Sequence, residues 1–321
     1  MSVSRREFFV GAATVAAASR LPLFAQPAKA CPFRLAVIND EISQDFDHAC
    51  YVASKDFGLH WIELRGMWDK NLTELSDQQI SEAVKILEKY KLRVTDIASP
   101  LFKTDWPGAP ISKESPHHDQ FKADFDFKQQ DDLLKHCIQL SKTFKTERIR
   151  CFDFWRLEDP KPYRKAMNEK LREAAEVCAK QNLILMIENE MACNTGTGEE
   201  AIEVLRAIPN RNFMLNWDLA NAATFAGNVP YPDAYDKIPK ERIAHCHVKN
   251  VSRKDGGKFD WQPVGKGVVD WVGQFKAFVR DNYHYGVSLE THWRGAGTPE
   301  ASTRASMQDL KSALTTAGIT C

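Results

Sequence analysis

Much that would make this chemistry easy to name is missing from the chain. No Cys-x-x-Cys pair occurs among its eight cysteines, so neither a zinc ribbon nor a dithiol redox motif is supported. The cysteines are scattered. Cys137, Cys151, Cys178 and Cys246 fall inside apolar helix or strand patterns, where small buried hydrophobes are expected. A phosphate loop is missing too. Gly265-Lys266-Gly267-Val268-Val269-Asp270 lacks the Walker spacing and the closing Lys-Ser/Thr, and reads as a tight turn into a helix. Repeats and low-complexity tracts are absent, as is any sign of a second folded domain.

The first thirty residues stand apart. Ser4-Arg5-Arg6-Glu7-Phe8-Phe9 is a twin-arginine export motif, Val10 to Ala18 is a small apolar run, and Ala28-Lys29-Ala30 is a cleavage site. The apolar run is too short to anchor the chain in a bilayer. The expectation is a leader over 1–30, a single domain over 31–321, a periplasmic or otherwise exported protein, and no membrane contact after cleavage. The leader takes Arg5, Arg6, Arg20 and Lys29 with it against Glu7. The 43 basic and 43 acidic side chains of the whole chain then become 39 and 42. No bulk charge remains to draw nucleic acid.

After residue 31, strand-like and helix-like segments alternate eight times. The strand-like segments are Phe33–Asn39, Trp61–Leu64, Leu92–Ala98, Arg148–Phe154, Leu183–Ile187, Asn212–Trp217, Ile243–Val248 and Gly286–Leu289. Helical spacing marks Phe46–Phe57, Asp77–Tyr90, Phe121–Phe144, Pro162–Gln181, Glu199–Ala207, Trp271–Arg280 and Pro299–Thr316, with a Pro-broken piece around Ala234–Ile238. Thr197 with Glu200 reads as a capping box, and Asp270 as an N-cap. Such alternation predicts a parallel sheet, and eight units of it a closed (β/α)8 barrel, an α/β fold of roughly 250 residues.

Barrel chemistry sits at the C-terminal ends of the strands. Four ends here carry Ile187-Glu188-Asn189, Trp217-Asp218, Cys246-His247 and Leu289-Glu290-Thr291. Glu188, Asp218, His247 and Glu290 thus fall on strands five to eight, around one half of the rim. Charged residues are rarely buried without partners. Three carboxylates and an imidazole suit one divalent cation, Mn²⁺ first, with Mg²⁺, Co²⁺ or Zn²⁺ also fitting. Glu188 and Glu290 also form a pair in which one carboxylate removes a proton and the other returns it. His245, deeper on the same strand face as His247, reads as a hydrogen-bonded core histidine. Glu190 either supports Glu188 or reaches solvent. Lys249 and Arg253 lie where they could hold a substrate oxygen. The long loop from Ser99 to His118 reads as a lid or binding loop. Trp68, Phe102, Trp106, Trp155 and Trp293 offer aromatic faces for a sugar.

These runs, with Ile62-Glu63-Leu64-Arg65, Leu219-Ala220-Asn221, Val248-Lys249 and Gly265-Lys266-Gly267, resemble the xylose-isomerase-like TIM barrels over nearly the whole mature chain. That is the sugar phosphate isomerase/epimerase group. The resemblance implies one divalent metal held by Glu188, Asp218, His247 and Glu290, with the two glutamates as acid and base. It implies a small sugar or keto-sugar as partner, contacted by Arg65, Trp155, Asn221, Lys249 and Arg253, and allows a homo-oligomer. Arg253 matches an arginine of the ketose 3-epimerases, six residues after the histidine ligand. Two positions depart from that pattern. Asn221 stands where those enzymes carry histidine, and Asn194 where they carry glutamate. The early-strand histidines of the three-zinc nucleases are also missing. The expected function is metal-dependent sugar isomerisation or epimerisation. A lyase or dehydratase acting on keto-glycosides or inososes, and a metal-bearing sugar-binding protein without turnover, are the alternatives.

Overall fold

A computed structural model describes residues 31–321 apart from Glu114 and His117; the expected export leader and cleavage site lie outside the described residues. Eight strands form the inner wall. They are β1 (Arg34–Val37), β2 (Trp61–Leu64), β3 (Arg93–Ile97), β4 (Arg148–Cys151), β5 (Ile184–Glu188), β6 (Phe213–Asp218), β7 (Ile243–Val248) and β8 (Gly286–Leu289). Their order runs β2 to β8 in sequence and then back to β1, every pairing parallel. A parallel bridge from Ile38 to Glu63 closes the ring. The expected (β/α)8 barrel is what forms.

The helices are α1 (Phe46–Tyr51), α2 (Asp77–Tyr90), α3 (Gln130–Thr143), α4 (Lys161–Ala179), α5 (Gly198–Ala207), α6 (Leu219–Ala223), α7 (Trp271–Arg280) and α8 (Pro299–Thr316). Thr197 and Glu200 form the capping box of α5, and Asp270 accepts from Gly273 N at the start of α7, as their sequence positions predict. The Gly265–Asp270 run turns tightly into α7. Gly267 lies so close to the Asn250 side chain that no Cβ fits.

Three expectations need correction. The helix predicted from Phe121 begins only at Gln130, because Lys122 takes a positive φ and Asp126 caps a 3-10 turn over Phe127–Gln129. The sixth unit holds an unpredicted helix, α6, ahead of its Pro-broken piece, because the Asp218 side chain caps its first turn. The cysteines divide. Six are free and buried, but Cys31 and Cys321 form a disulfide across 290 residues. Among the described residues no helix is long and apolar enough to cross a membrane.

Side chains alternate along each strand, which separates two regions. Leu185, Ile187, Leu215, Trp217 and Cys246 belong to the main core shared with the helices. Met186, Met214 and Ala244 form a separate apolar cluster. Glu188 shares the face of Met186, and Asp218 that of Met214. The barrel axis therefore has an apolar floor with polar residues above it.

Candidate active site

Strand register assembles the quartet. Asp218 and His247 are direct partners across β6 and β7. Glu188 closes β5, and Glu290 N donates to Val248 O at 3.0 Å, one step beyond His247. His247 is central. Its Nδ1 lies 3.1 Å from Glu188 Oε1, 3.2 Å from Glu290 Oε2 and 3.7 Å from Asp218 Oδ2. Donor atoms about 3 Å apart are what metal–ligand bonds of about 2 Å produce. Asp218 divides its oxygens. Oδ1 accepts from Asn221 N at 2.8 Å to cap α6, while Oδ2 faces Lys249 Nζ at 2.7 Å and His247 Nδ1 at 3.7 Å. Three carboxylate oxygens and an imidazole nitrogen, all within 4.8 Å of one another, fit a divalent cation.

All four side chains are buried, at 0–3% exposure. Leaving any one charge unpaired there would cost several kcal/mol. Each has an opposite partner. Arg150 Nη1 of β4 donates to Glu188 Oε2 at 3.1 Å, and Arg65 Nη1 donates to Glu290 Oε1 at 2.5 Å. Lys249 Nζ lies 2.7 Å from Asp218 Oδ2 and also donates to Glu290 Oε2. Glu63 Oε1 of β2 is 2.9 Å from His247 Nε2. Burial works to raise the Glu188 carboxyl, but His247 and Arg150 outweigh it and hold it at about 2. Burial likewise opposes ionisation of Glu290, which Lys249, His292 and His247 keep well below the carboxylate range. Burial would lower His247, yet Glu63, Glu188 and Glu290 raise it well above the usual histidine value.

Of the substrate-contact candidates, three join the cluster. Arg65 also binds Asp40 and Glu41, and its backbone N–H is held by Asn39 Oδ1. Lys249 is buried against Asp218 and Glu290. Asn221 Nδ2 reaches Asn189 O at 3.0 Å, Glu190 Oε2 at 3.3 Å and Glu188 Oε1 at 3.5 Å. Two stand apart. Arg253 is exposed and donates to the carbonyls of Ala223 and Asn228. Trp155 is buried in a small cluster with Phe152 and Cys193. The aromatic residues of the long loop largely pack on one another, Phe102 and Trp106 against Phe154 at 5.5 and 4.7 Å. Asn194 is fully committed to the backbone. Its Nδ2 donates to the carbonyls of Asp153, Phe154 and Trp155, and its Oδ1 accepts from Leu157 N.

Four other residues meet the quartet or its partners. Glu63 could have been found from the sequence, as a charge between Ile62 and Leu64, whereas Arg150 sits in an alternating Arg-Ile-Arg-Cys strand. His292 Nε2 lies 3.1 Å from Glu290 Oε1. Trp261 has no local signal. It sits on a hairpin formed by Asn250–Arg253 and Phe259–Gln262, which folds back so that the ring covers Lys249 Nζ at 5.3 Å and meets His292 at 4.9 Å. A cleft of about 360 Å³, lined by Asp40, Gln44, Arg65, Gln120, His292 and Arg294, opens against Arg65 and His292, both of which contact Glu290.

The sequence matches the family described as Xylose isomerase-like TIM barrel over residues 52–313. A search of curated proteins returned no match. Several solved structures share the fold. The probable 3-DHS dehydratase AsbF of Bacillus anthracis is 19% identical, covering 87% of this chain and 98% of that one, with a TM-score of 0.64. The IOLI protein with a bound zinc atom is 14% identical, covering 88% and 98%, with a TM-score of 0.69. A D-allulose 3-epimerase from Methylomonas sp. is 14% identical, covering 90% and 100%, with a TM-score of 0.62.

Proposed function

Because the chain belongs to the xylose isomerase-like TIM barrel family, we propose that it is a divalent-metal-dependent isomerase or epimerase of a sugar or keto-sugar. The observation that carries this is the pair of ionised, buried glutamates flanking one imidazole nitrogen, Glu188 at 3.1 Å and Glu290 at 3.2 Å. Glu188, Asp218, His247 and Glu290 would hold the cation, Mn²⁺ first in our reading. When bound it supplies Lewis acidity that lowers the cost of negative charge on a substrate oxygen beside the reacting C–H.

The protein groups do the rest. One of Glu188 and Glu290 takes the proton next to the carbonyl, and the other returns one. Return to the opposite face epimerises the centre, and return to the neighbouring carbon isomerises it. Arg150 behind Glu188 and Arg65 behind Glu290 favour the ionised form that the abstracting base needs, and the partner glutamate takes up a proton from solvent before it returns one. Lys249 supplies a fixed positive charge for the developing oxyanion. Trp261 presents an apolar ring over that charge, suited to one face of a sugar, and the cleft beside Glu290 offers a way in.

The position of Asn194 favours a second reading within the same fold. Where ketose 3-epimerases carry a glutamate, this chain has an amide whose hydrogen bonds are all spent on the backbone. Proton abstraction followed by loss of a leaving group from the next carbon would make the protein a lyase or dehydratase. The probable dehydratase with the same fold supports keeping this reading open. A binder without turnover needs no acid/base pair.

The deciding experiment incubates the purified protein, carrying its native metal, with free ketoses, inososes and 3-keto-glycosides in D₂O and follows them by NMR. Deuterium entry with epimeric or isomeric products supports the first reading. Release of aglycone or water supports the second. No exchange with any of these compounds would remove both enzymatic readings.

We also propose that the protein works outside the cytoplasm. The twin-arginine leader supports this, and so does the Cys31–Cys321 bond, since disulfides persist in oxidising compartments. Denatured, unreduced protein from the cell envelope should then show six titratable thiols, the number of free cysteines. Eight thiols, the total in the chain, would remove this support.

A further inference from the structure

Below the quartet lies a second polar layer that the proposed chemistry does not use. Glu63, at the end of β2, is completely buried and touches two histidines with its two oxygens. Oε1 lies 2.9 Å from His247 Nε2, and Oε2 lies 3.1 Å from His245 Nε2. An ionised carboxylate can only accept hydrogen bonds. Both imidazoles must therefore present Nε2–H to Glu63. For His247 this leaves Nδ1 facing Glu188, Asp218 and Glu290. For His245 it leaves Nδ1 3.6 Å from Asp96 Oδ1, with no hydrogen bond of its own.

Two neighbours bear on this assignment, Asn216 through its amide orientation and Gly286 through packing. Asn216 faces His247 Nε2 at 3.1 Å, and its Oδ1 is otherwise unpaired. Turning that amide over, a choice set by the hydrogen-bond network, offers Oδ1 to the same proton. The His245 ring lies directly on Gly286, where no Cβ would fit. Its orientation is thus set by packing as well as by Glu63.

We infer that Glu63, steadied by His245, is the positioning residue that fixes the ring orientation and tautomer of His247 and so reserves Nδ1 for the cation. This rests on the metal-binding reading above. Carboxylates behind metal-bound histidines commonly act so, but one carboxylate serving two histidines packed edge to face makes a sharper demand. A glutamine at position 63 has one acceptor and one donor. It can satisfy only one Nε2–H, and the other histidine must move its proton to Nδ1 or lose its partner.

The test uses the full mature protein, Mn²⁺ titration by calorimetry, and ¹⁵N NMR of the histidine rings in the Zn²⁺-loaded form. Wild type should bind Mn²⁺ and show His247 protonated on Nε2 and coordinated through Nδ1. Glu63→Gln should bind Mn²⁺ about 10–100-fold more weakly and lose one of the two Nε2–H signals. Glu63→Asp, which keeps an acceptor-only carboxylate, should recover part of the affinity and both signals. Wild-type affinity in Glu63→Gln, or a proton on His247 Nδ1 in the Zn²⁺-loaded wild type, would overturn the inference. The wild-type spectrum decides this even where Glu63→Gln does not fold. Failure of wild type to bind any Mn²⁺ or Zn²⁺ would instead sink the metal-binding reading, and the inference with it.

Discussion

The half of the barrel formed by β5–β8 ends in oxygen and nitrogen donors, whereas the half formed by β1–β4 supplies groups that compensate them. Glu188, Asp218, His247 and Glu290 project from the first half. Arg150 of β4 answers Glu188, Arg65 beyond β2 answers Glu290, and Glu63 of β2 answers His247. Lys249, from the donor half itself, answers Asp218 and also Glu290. The difference teaches that such a site is a whole-barrel property. Three carboxylates cannot sit together at 0–3% exposure unless the opposite wall brings cations to meet them.

The comparison can be broken at its donor half first, where the largest effect is expected. Glu188→Gln or Glu290→Gln should lower kcat by roughly 10²–10⁴, the range for one acid/base group, on whichever compound exchanges in D₂O. Near-normal turnover by either variant would remove the paired-base mechanism. The compensating half is tested by Arg150→Met. It leaves the Glu188 carboxylate buried without its cation, and should destabilise the metal-free protein by about 3–5 kcal/mol in urea unfolding. A loss no larger than for a surface change would show that the opposite wall is dispensable.

A pH titration sharpens how the halves share charge. His247 is raised well above its ordinary value, so the metal-free protein holds a proton on each ring nitrogen at neutral pH. The stabilisation from the His247 proton is complete below the unfolded value of about 6.5, and is lost as pH rises through the raised value. A cation must displace the Nδ1 proton. Mn²⁺ affinity should therefore strengthen with rising pH, by up to about tenfold per pH step, and calorimetry in buffers of different ionisation enthalpy should count one proton released. Affinity independent of pH would mean that Nδ1 is already bare. The smallest effect is expected at Arg253, outside both halves of the cluster. Arg253→Ala should change kcat/KM by no more than about twofold, as for other exposed positions. A larger loss would bring that residue back to the substrate.

The barrel was largely legible because its signals are local. Six helix or strand segments, among them Asp77–Tyr90 and Ile243–Val248, fall at the bounds their periodicity gives them. The failures are where a single side chain overrides a pattern. Asp126 delays α3, and Asp218 starts a helix that periodicity does not show. The donor quartet was legible because each member follows an apolar run at a strand end. Glu63 carries a similar signal, a charge between Ile62 and Leu64, but on the other half of the rim, whereas Arg150 lies in an alternating Arg-Ile-Arg-Cys strand where a charge does not stand out.

What the sequence determined by itself was the alternation of elements, hence the barrel, and which four side chains end its last four strands. Both depend on spacing along the chain. Tertiary structure alone decided which charges meet. Arg65 and Glu290 are 225 residues apart, and Glu63 and His247 184 apart. Trp261 reaches the site only because its hairpin folds back over Lys249. Cys31 meets Cys321 only because the ring closes. Such pairings depend on distance in space, and a linear pattern carries no record of which residues the closing ring will bring within a few ångströms.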